Sequence, residues 1–344
     1  MEVLLNTLYV VTRGAVLKRD GQTVQVLIES KPRLAVPVHQ LESVAVFGGV
    51  RVTPPVMAMC AERGVAVSFL TESGRLQARV DAPQSGNVLL RRAQFRAADD
   101  EGWRARLSAA FVAGKVQNSR NVVLRSARES TNPEESHSLS QTASRLGDTL
   151  PLLERAENAD SIRGLEGDAA RAYFAAFPLF VRQNRDDFQP KGRTRRPPLD
   201  RMNALLSFLY ALLTNDCVSA IAAAGLDPSV GFLHVDRPGR PGLALDLMEE
   251  FRPLIVDRLA LALVNRQQVK ADGFVIREGG AVEMTDATRR TVVGAYQQRK
   301  KDEMTHPALN QKSPVGRLPF LQARILARVL RGDLASYVPC IPKN

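Results

Sequence analysis

The chain is short of the residues that usually mark a catalytic centre or an oxidising environment. Its 344 residues hold three cysteines (Cys60, Cys217 and Cys340), four histidines and one tryptophan, and aromatics make up only 6%. Three thiols, odd in number and far apart in sequence, form neither a disulfide framework nor a metal-ligand spacing, which favours a reducing, cytoplasmic setting. So few aromatics argue against base stacking as the main mode of any nucleic-acid recognition. No run of about 18 uninterrupted apolar residues suggests a membrane span. The first ten residues lack the basic flank of a secretory signal. No Gly-x-x-x-x-Gly-Lys-Ser/Thr loop occurs, so nucleotide hydrolysis is unsupported, and no Gly-x-Ser-x-Gly elbow presents a nucleophilic serine.

Acidic residues are in deficit as well. Asp and Glu number 36 against 47 Lys and Arg, a formal charge of +11 at pH 7. Stability requires no such excess, so a polyanionic partner is expected, with nucleic acid first. A membrane surface competes poorly, because no basic amphipathic segment adjoins a long apolar run. The bases gather in three places. One loop and the helix it enters carry Arg182, Arg185, Lys191, Arg193, Arg195, Arg196 and Arg201. An earlier helix carries Arg104, Arg106, Lys115, Arg120, Arg125 and Arg128, and a last one Arg317, Arg324, Arg328 and Arg331. A single run is usually a solvated face. Three in one region suit a surface that tracks the phosphates of a duplex.

Two kinds of periodicity divide the chain, and the expected class is α+β. Residues 1–87 read as a β-rich N-terminal domain. Apolar runs on either side of Asp20-Gly21 signal a hairpin, and further strands are expected at 43–47, 65–69 and 76–80, the last two flanking Ser73-Gly74. Between them, Pro54-Pro55 before an apolar run and Gly64 after it suit a short helix. Pro83 to Gly86 is the expected boundary. Residues 88–344 read as an all-α domain, with long helices over 101–128, 159–177, 200–224 and 244–264, the last interrupted at Pro253. The polar stretch 129–141 reads as a loop, and 182–196 as a mobile basic one.

The stretch from Gly231 to Pro253 carries the chemistry. It supplies His234, then a Pro/Gly turn, then Asp246, Glu249 and Glu250 at i, i+3 and i+4 on a new helix. Carboxylates so clustered repel one another, and a divalent cation removes the repulsion, with a neutral imidazole able to complete its coordination. The alternative is a solvated acidic face beside a loop histidine. A third acid, Glu166, shares a helical face with Ile162, Ala169, Ala170 and Tyr173, where a carboxylate is costly unless a cation or donors compensate it. Its alternative is a boundary Glu reaching Arg163 or water. Should the fold bring Glu166, His234 and Glu249 together, they would make a site of one nitrogen and two carboxylates, suited to Mg²⁺ or Mn²⁺. His39, His137 and His306 lack such company and read as structural or solvated.

These motifs resemble the universal CRISPR adaptation integrase, a family of metal-dependent DNases that insert new spacers into CRISPR arrays. The resemblance spans essentially the whole chain. It rests on Gly164-Leu-Glu166-Gly with Tyr173-Phe174, on Arg196-Pro-Pro-Leu-Asp-Arg-Met-Asn203 with Tyr210, and on Gly231-Phe-Leu-His234 followed by Asp246-Leu-Met-Glu249-Glu-Phe-Arg-Pro253. The style is most similar to members accompanying type I-C systems. The resemblance implies Glu166, His234 and Glu249 as metal ligands, Asp246 as a helper in the same pocket, and Asn203 and Tyr173 as support or DNA contacts. Some relatives have Asp at the position of Glu249, which leaves the third ligand open among 246, 249 and 250. It also implies phosphoryl transfer by a 3′-hydroxyl, a homodimer, and a small ferredoxin-like second adaptation subunit as partner. Two other classes remain as alternatives: a metal-dependent phosphohydrolase of small substrates, and a non-catalytic DNA-architectural protein.

Overall fold

The computed structural model describes residues 7–80, 88–195 and 197–342. The N-terminal part comprises β1 (Thr7–Val10), β2 (Val16–Asp20), β3 (Thr23–Ile28), β4 (Lys31–Pro37), β5 (Ser43–Phe47), β6 (Arg51–Val52), α1 (Pro54–Glu62), β7 (Ala66–Leu70) and β8 (Leu76–Val80). They form two four-stranded sheets, ordered β4-β3-β2-β6 and β1-β5-β7-β8. The hairpin foreseen at Asp20-Gly21 is present: β2 and β3 pair antiparallel, Asp20 opposite Thr23, and Gly21 takes φ +56°. Strand β4 was not foreseen. Its two prolines mark it as the kind of sequence a sheet tolerates only at an edge, where it lies.

Strand β5 is buried along its whole length, and its two faces serve different cores. Val44 and Val46 pack with Leu17, Val24 and Met59 in the small β-rich core. Ala45 and Phe47 point the other way, into the large helical core. Phe47 meets Phe208 at a centroid distance of 5.7 Å, and Ser68 Oγ donates to Asn215 Oδ1 at 2.8 Å. The sheet β1-β5-β7-β8 is thus a layer shared by both parts.

The C-terminal part comprises α2 (Val88–Asp99), α3 (Glu101–Glu129), α4 (Pro133–Arg155), α5 (Ala159–Ala176), α6 (Arg185–Phe188), α7 (Arg201–Ala223), α8 (Gly242–Phe251), α9 (Arg258–Asn265), α10 (Asp286–Lys301) and α11 (Leu318–Leu330). Helix α7 is the hub, buried along most of its length. Among the described residues it alone is long and apolar enough to cross a membrane, yet its apolar stretch is spent inside the protein. Between α8 and α9 the chain makes a π turn over Arg252–Asp257. Pro253 has no N–H to offer the carbonyl four residues back, that of Glu249, so a widened turn follows where an interruption was expected.

Three expectations need correction. The stretch 129–141 is not a loop, because Asn132 Oδ1 accepts from the backbone N–H of Glu134 (2.9 Å) and Glu135 (3.4 Å) and Pro133 opens α4. An Asn cap before Pro and two acids is a helix start. The C-terminal part is helical but not all-α: β9 (Phe274–Ile276) pairs β10 (Val282–Met284), and β11 (Glu303–His306) pairs β12 (Gln311–Pro314). Within the basic stretch 182–196, Arg185–Phe188 form the short helix α6 where a loop was expected, and Phe188 is fully buried. The boundary expected at Pro83 to Gly86 lies outside the described residues.

Candidate metal centre

Two acids from different helices meet at one ammonium. Helix α5 starts where Asn158 Oδ1 accepts from Ser161 N at 2.8 Å, and two turns on it presents Glu166 toward α3. Helix α8 presents Glu249, only 3% exposed, to the same place. Lys115 of α3 stands between them, its Nζ paired with Glu166 Oε1 and 2.7 Å from Glu249 Oε2. The approach of α3 to α8 depends on Gly114: a Cβ there would lie 2.9 Å from Glu250 Cγ and 2.9 Å from Pro339 Cβ. Arg252, at the first position of the π turn, reaches the other oxygen of Glu249 at 3.3 Å. Burial alone would raise the pKa of Glu249, but Arg252, Lys115 and His234, in that order, outweigh it and hold the carboxyl well below the usual range.

His234 is fixed by Asp246. The Asp246 carboxylate is completely buried and accepts the backbone N–H groups of Phe232 (2.6 Å), Leu233 (3.1 Å) and His234 (3.0 Å). Its Oδ1 also accepts from His234 Nδ1 at 2.6 Å. With Nδ1 donating, a neutral ring has its free lone pair on Nε2. Gly231 permits this loop, since a Cβ there would fall 2.8 Å from Asp246 Oδ2. Four hydrogen bonds engage the Asp246 carboxylate, one of them fixing the orientation of the imidazole.

Glu250 turns away from the site. It accepts from the Tyr337 hydroxyl, from Gln322 Nε2 at 3.0 Å and from Cys340 N at 2.6 Å, fastening the C-terminal segment to α8. Burial pushes it up to about 7 even though these donors pull it down. Of the three carboxylates between 246 and 250, only Glu249 faces Glu166.

A cleft opens beside the two acids, sharing Lys115 and Arg252 with them and walled also by Ser119, Tyr173, Arg195 and Tyr210. Asp257, at the end of the π turn, supports its floor, accepting from Tyr173 Oη at 2.9 Å and from Tyr210 Oη. The guanidinium of Arg252 lies over the Tyr210 ring at 4.9 Å, and that of Arg193 at 5.4 Å. A carboxylate bound to two phenols beneath two stacked guanidiniums fixes the cations at the cleft wall.

The other residues singled out from the sequence divide sharply. Asn203 is buried, donates to Gly192 O at 2.7 Å and accepts from Arg193 at 2.7 Å, clasping the loop to the start of α7. Tyr173 is equally buried, with its hydroxyl on Asp257 and its side chain at the cleft. Arg182 pairs Glu129 at 2.8 Å and Arg201 pairs Asp187 at 3.3 Å. Arg195 lines the cleft, Lys191 is exposed, and Arg196 lies outside the described residues. His39 and His137 are exposed, while His306 is buried against Gln322 Oε1 at 3.0 Å, as structural histidines would be. Sequence reasoning missed Lys115 and Arg252 as parts of the centre. A signal existed for Lys115: it shares the face of Phe111, Val112, Ser119 and Val122, where a lysine is out of place.

The donors present fit a small divalent cation. Two carboxylate oxygens from separate helices already share one positive charge. Glu249 Oε2 is buried and its close partner is the Lys115 ammonium, at 2.7 Å. Among the described residues no three His, Cys, Asp or Glu side chains, Glu166, His234 and Glu249 included, stand close enough to hold a metal ion, and the Lys115 ammonium lies between the two acids.

The family model described as CRISPR associated protein Cas1 matches residues 8–298. The chain is 50% identical over 339 residues to a CRISPR-associated endonuclease Cas1 of Moorella thermoacetica, covering 98% of this chain and 99% of that one. It superposes on a Cas1 protein from Thermotoga maritima with a TM-score of 0.80 and 25% identity, over 96% and 98% of the two chains. A chain of a Cas6-RT-Cas1–Cas2 complex shares the fold, with a TM-score of 0.82 at 24% identity, over 98% of this chain and 36% of that longer one.

Proposed function

The chain belongs to the CRISPR-associated Cas1 family, and from that premise we propose that it is a metal-dependent DNA endonuclease and integrase that joins spacer DNA to a CRISPR array. The observation that carries the reading is the meeting of Glu166 and Glu249 at one cation position. Glu166, Glu249 and Nε2 of His234 would hold Mg²⁺ or Mn²⁺. That ion, when bound, supplies Lewis-acid polarisation of a phosphate and stabilises charge on the attacking or leaving oxygen.

The chain's own residues do the rest. Asp246 holds His234 in one tautomer and orientation. Arg252 and Arg195 line the cleft and would pair with phosphate oxygens of the duplex, and Asp257 with Tyr210 keeps Arg252 in place. A 3′-hydroxyl of the incoming strand attacks a phosphodiester at the leader–repeat border; one P–O bond forms as another breaks, and the displaced 3′-oxygen takes up the proton. One phosphodiester replaces another, which agrees with the missing nucleotide-binding loop. With water as nucleophile the same centre would cut DNA. We further propose a homodimer working with the small second adaptation subunit in the cytoplasm, a setting that suits three free, buried cysteines.

The test is strand transfer into a branched or supercoiled leader–repeat target, with Mg²⁺ or Mn²⁺ and with chelator. Glu166→Ala is expected to abolish transfer and keep duplex binding. An architectural protein would be indifferent to that change, and a small-substrate phosphohydrolase would turn over phosphomonoesters without binding the duplex. Either result replaces the proposal.

A further inference from the structure

Lys115 is an unusual lysine. Its stem is buried on the apolar face of α3, the whole residue is only 9% exposed, and its head lies between two acids that the proposed chemistry needs for a metal. Arg252 touches the same Glu249, but its guanidinium is stacked on Tyr210 and set by the π turn, so it is the fixed partner. Lys115 is the movable one: four methylenes end in a point charge without planar demands. Its side chain also lines the neighbouring cleft beside Ser119 and Arg195, a second place for the head to go.

Resting on the metal-dependent reading above, we propose that Lys115 is a built-in counter-cation. Its ammonium holds the divalent-ion position in the metal-free protein, and metal binding displaces it into the cleft, where it adds to the phosphate-binding charge. Two consequences follow from Coulomb's law in a partly buried site. Without metal, the ammonium offsets the repulsion between Glu166 and Glu249, so the helices α3, α5 and α8 stay assembled. The same attraction must be given up when the ion enters, so Lys115 weakens metal binding while improving the stability of the empty site. Lys115 thus acts through the two acids, as a positioning residue, and through phosphate once displaced.

The experiment measures Mn²⁺ binding by the loss of the free-ion EPR signal, without DNA, for the full-length wild type, Lys115→Met and Glu166→Gln. Lys115→Met is expected to bind Mn²⁺ at least about tenfold more tightly, because a full charge no longer competes for the acids. Its Tm should be below wild type without metal and recover when Mn²⁺ is added. A second measurement needs no variant. Acetylation of Lys115 in the wild-type protein by an amine-reactive ester, read by peptide mass spectrometry, should increase on adding Mn²⁺, with Lys191 and Lys312 unchanged as exposed references. If the wild type binds Mn²⁺ through Glu166 but Lys115→Met binds no more tightly, or the acetylation is unmoved, the displacement idea fails and the metal reading survives. If Mn²⁺ binding does not depend on Glu166, both fail.

Discussion

Glu249 and Glu250 are neighbours on one helix, alike in chemistry and both buried, and the fold gives them opposite surroundings. Glu249 faces Lys115, Arg252 and a second acid, and its carboxyl is held low. Glu250 faces a phenol, an amide and a backbone N–H, and its carboxyl is pushed up to about 7. Cations make the first a charged group ready for another cation. Neutral donors make the second a clasp for the C-terminal segment. Burial therefore does not by itself identify a functional acid; the sign of the charges around it does.

The largest effect expected from this contrast is on activity. Glu249→Gln should lower strand transfer by more than about a hundredfold, beyond what loss of an outer partner costs, whereas Glu250→Gln should leave it within wild-type order. Equal losses in the two variants, measured at matched folded fraction, would erase the distinction. Next comes Asp246→Asn, which disturbs only the orientation of His234 and its loop. A loss of about 10- to 100-fold in metal affinity is expected, and unchanged affinity by calorimetry would remove Asp246 from the centre.

Stability should invert the ranking. Glu250→Ala strands the Tyr337 hydroxyl proton and the Cys340 N–H, while Gln322 keeps Tyr337 Oη and Val338 O, and a loss of about 3 kcal/mol is expected in urea unfolding. A loss below about 1 kcal/mol, the typical net worth of one hydrogen bond, would mean the C-terminal segment is held by something else.

The smallest expected effect concerns Asp257. Burial raises it from 3.8 to about 6, with Tyr210, Tyr173, Arg252 and Arg193 pulling the other way. Between about pH 4 and 6 the folded state then holds more protons than the unfolded chain, so this group's contribution to stability falls as pH rises. Asp257→Asn lacks that component. Its Tm relative to wild type should rise between about pH 4 and 6 and then level off; a flat difference would contradict the raised value.

Much of this arrangement was legible in the sequence, for reasons that differ by residue. The hairpin at Asp20-Gly21 and the helices α3, α5 and α7 follow from turn chemistry and period, which are local. The choice among Asp246, Glu249 and Glu250 was not legible, because i, i+3 and i+4 place all three on one flank and only distant partners separate them. Those partners are the backbone at 232–234, Lys115 on α3, and Tyr337 with Cys340 near the end of the chain. Lys115 was submerged in a basic run of which Arg106, Arg125 and Arg128 are exposed and Arg120 packs against α4. The start of α4 was misread because polarity was weighed above the Asn132-Pro133 cap.

The central claim is that Glu166 and Glu249 share one divalent ion with His234. Anomalous scattering from crystals of the protein soaked in Mn²⁺ tests it most directly. The account predicts one strong peak at ligating distance from both carboxylates and from His234 Nε2, with Lys115 moved aside. A peak absent from that point, or found at Glu250 or Asp257 instead, would contradict it.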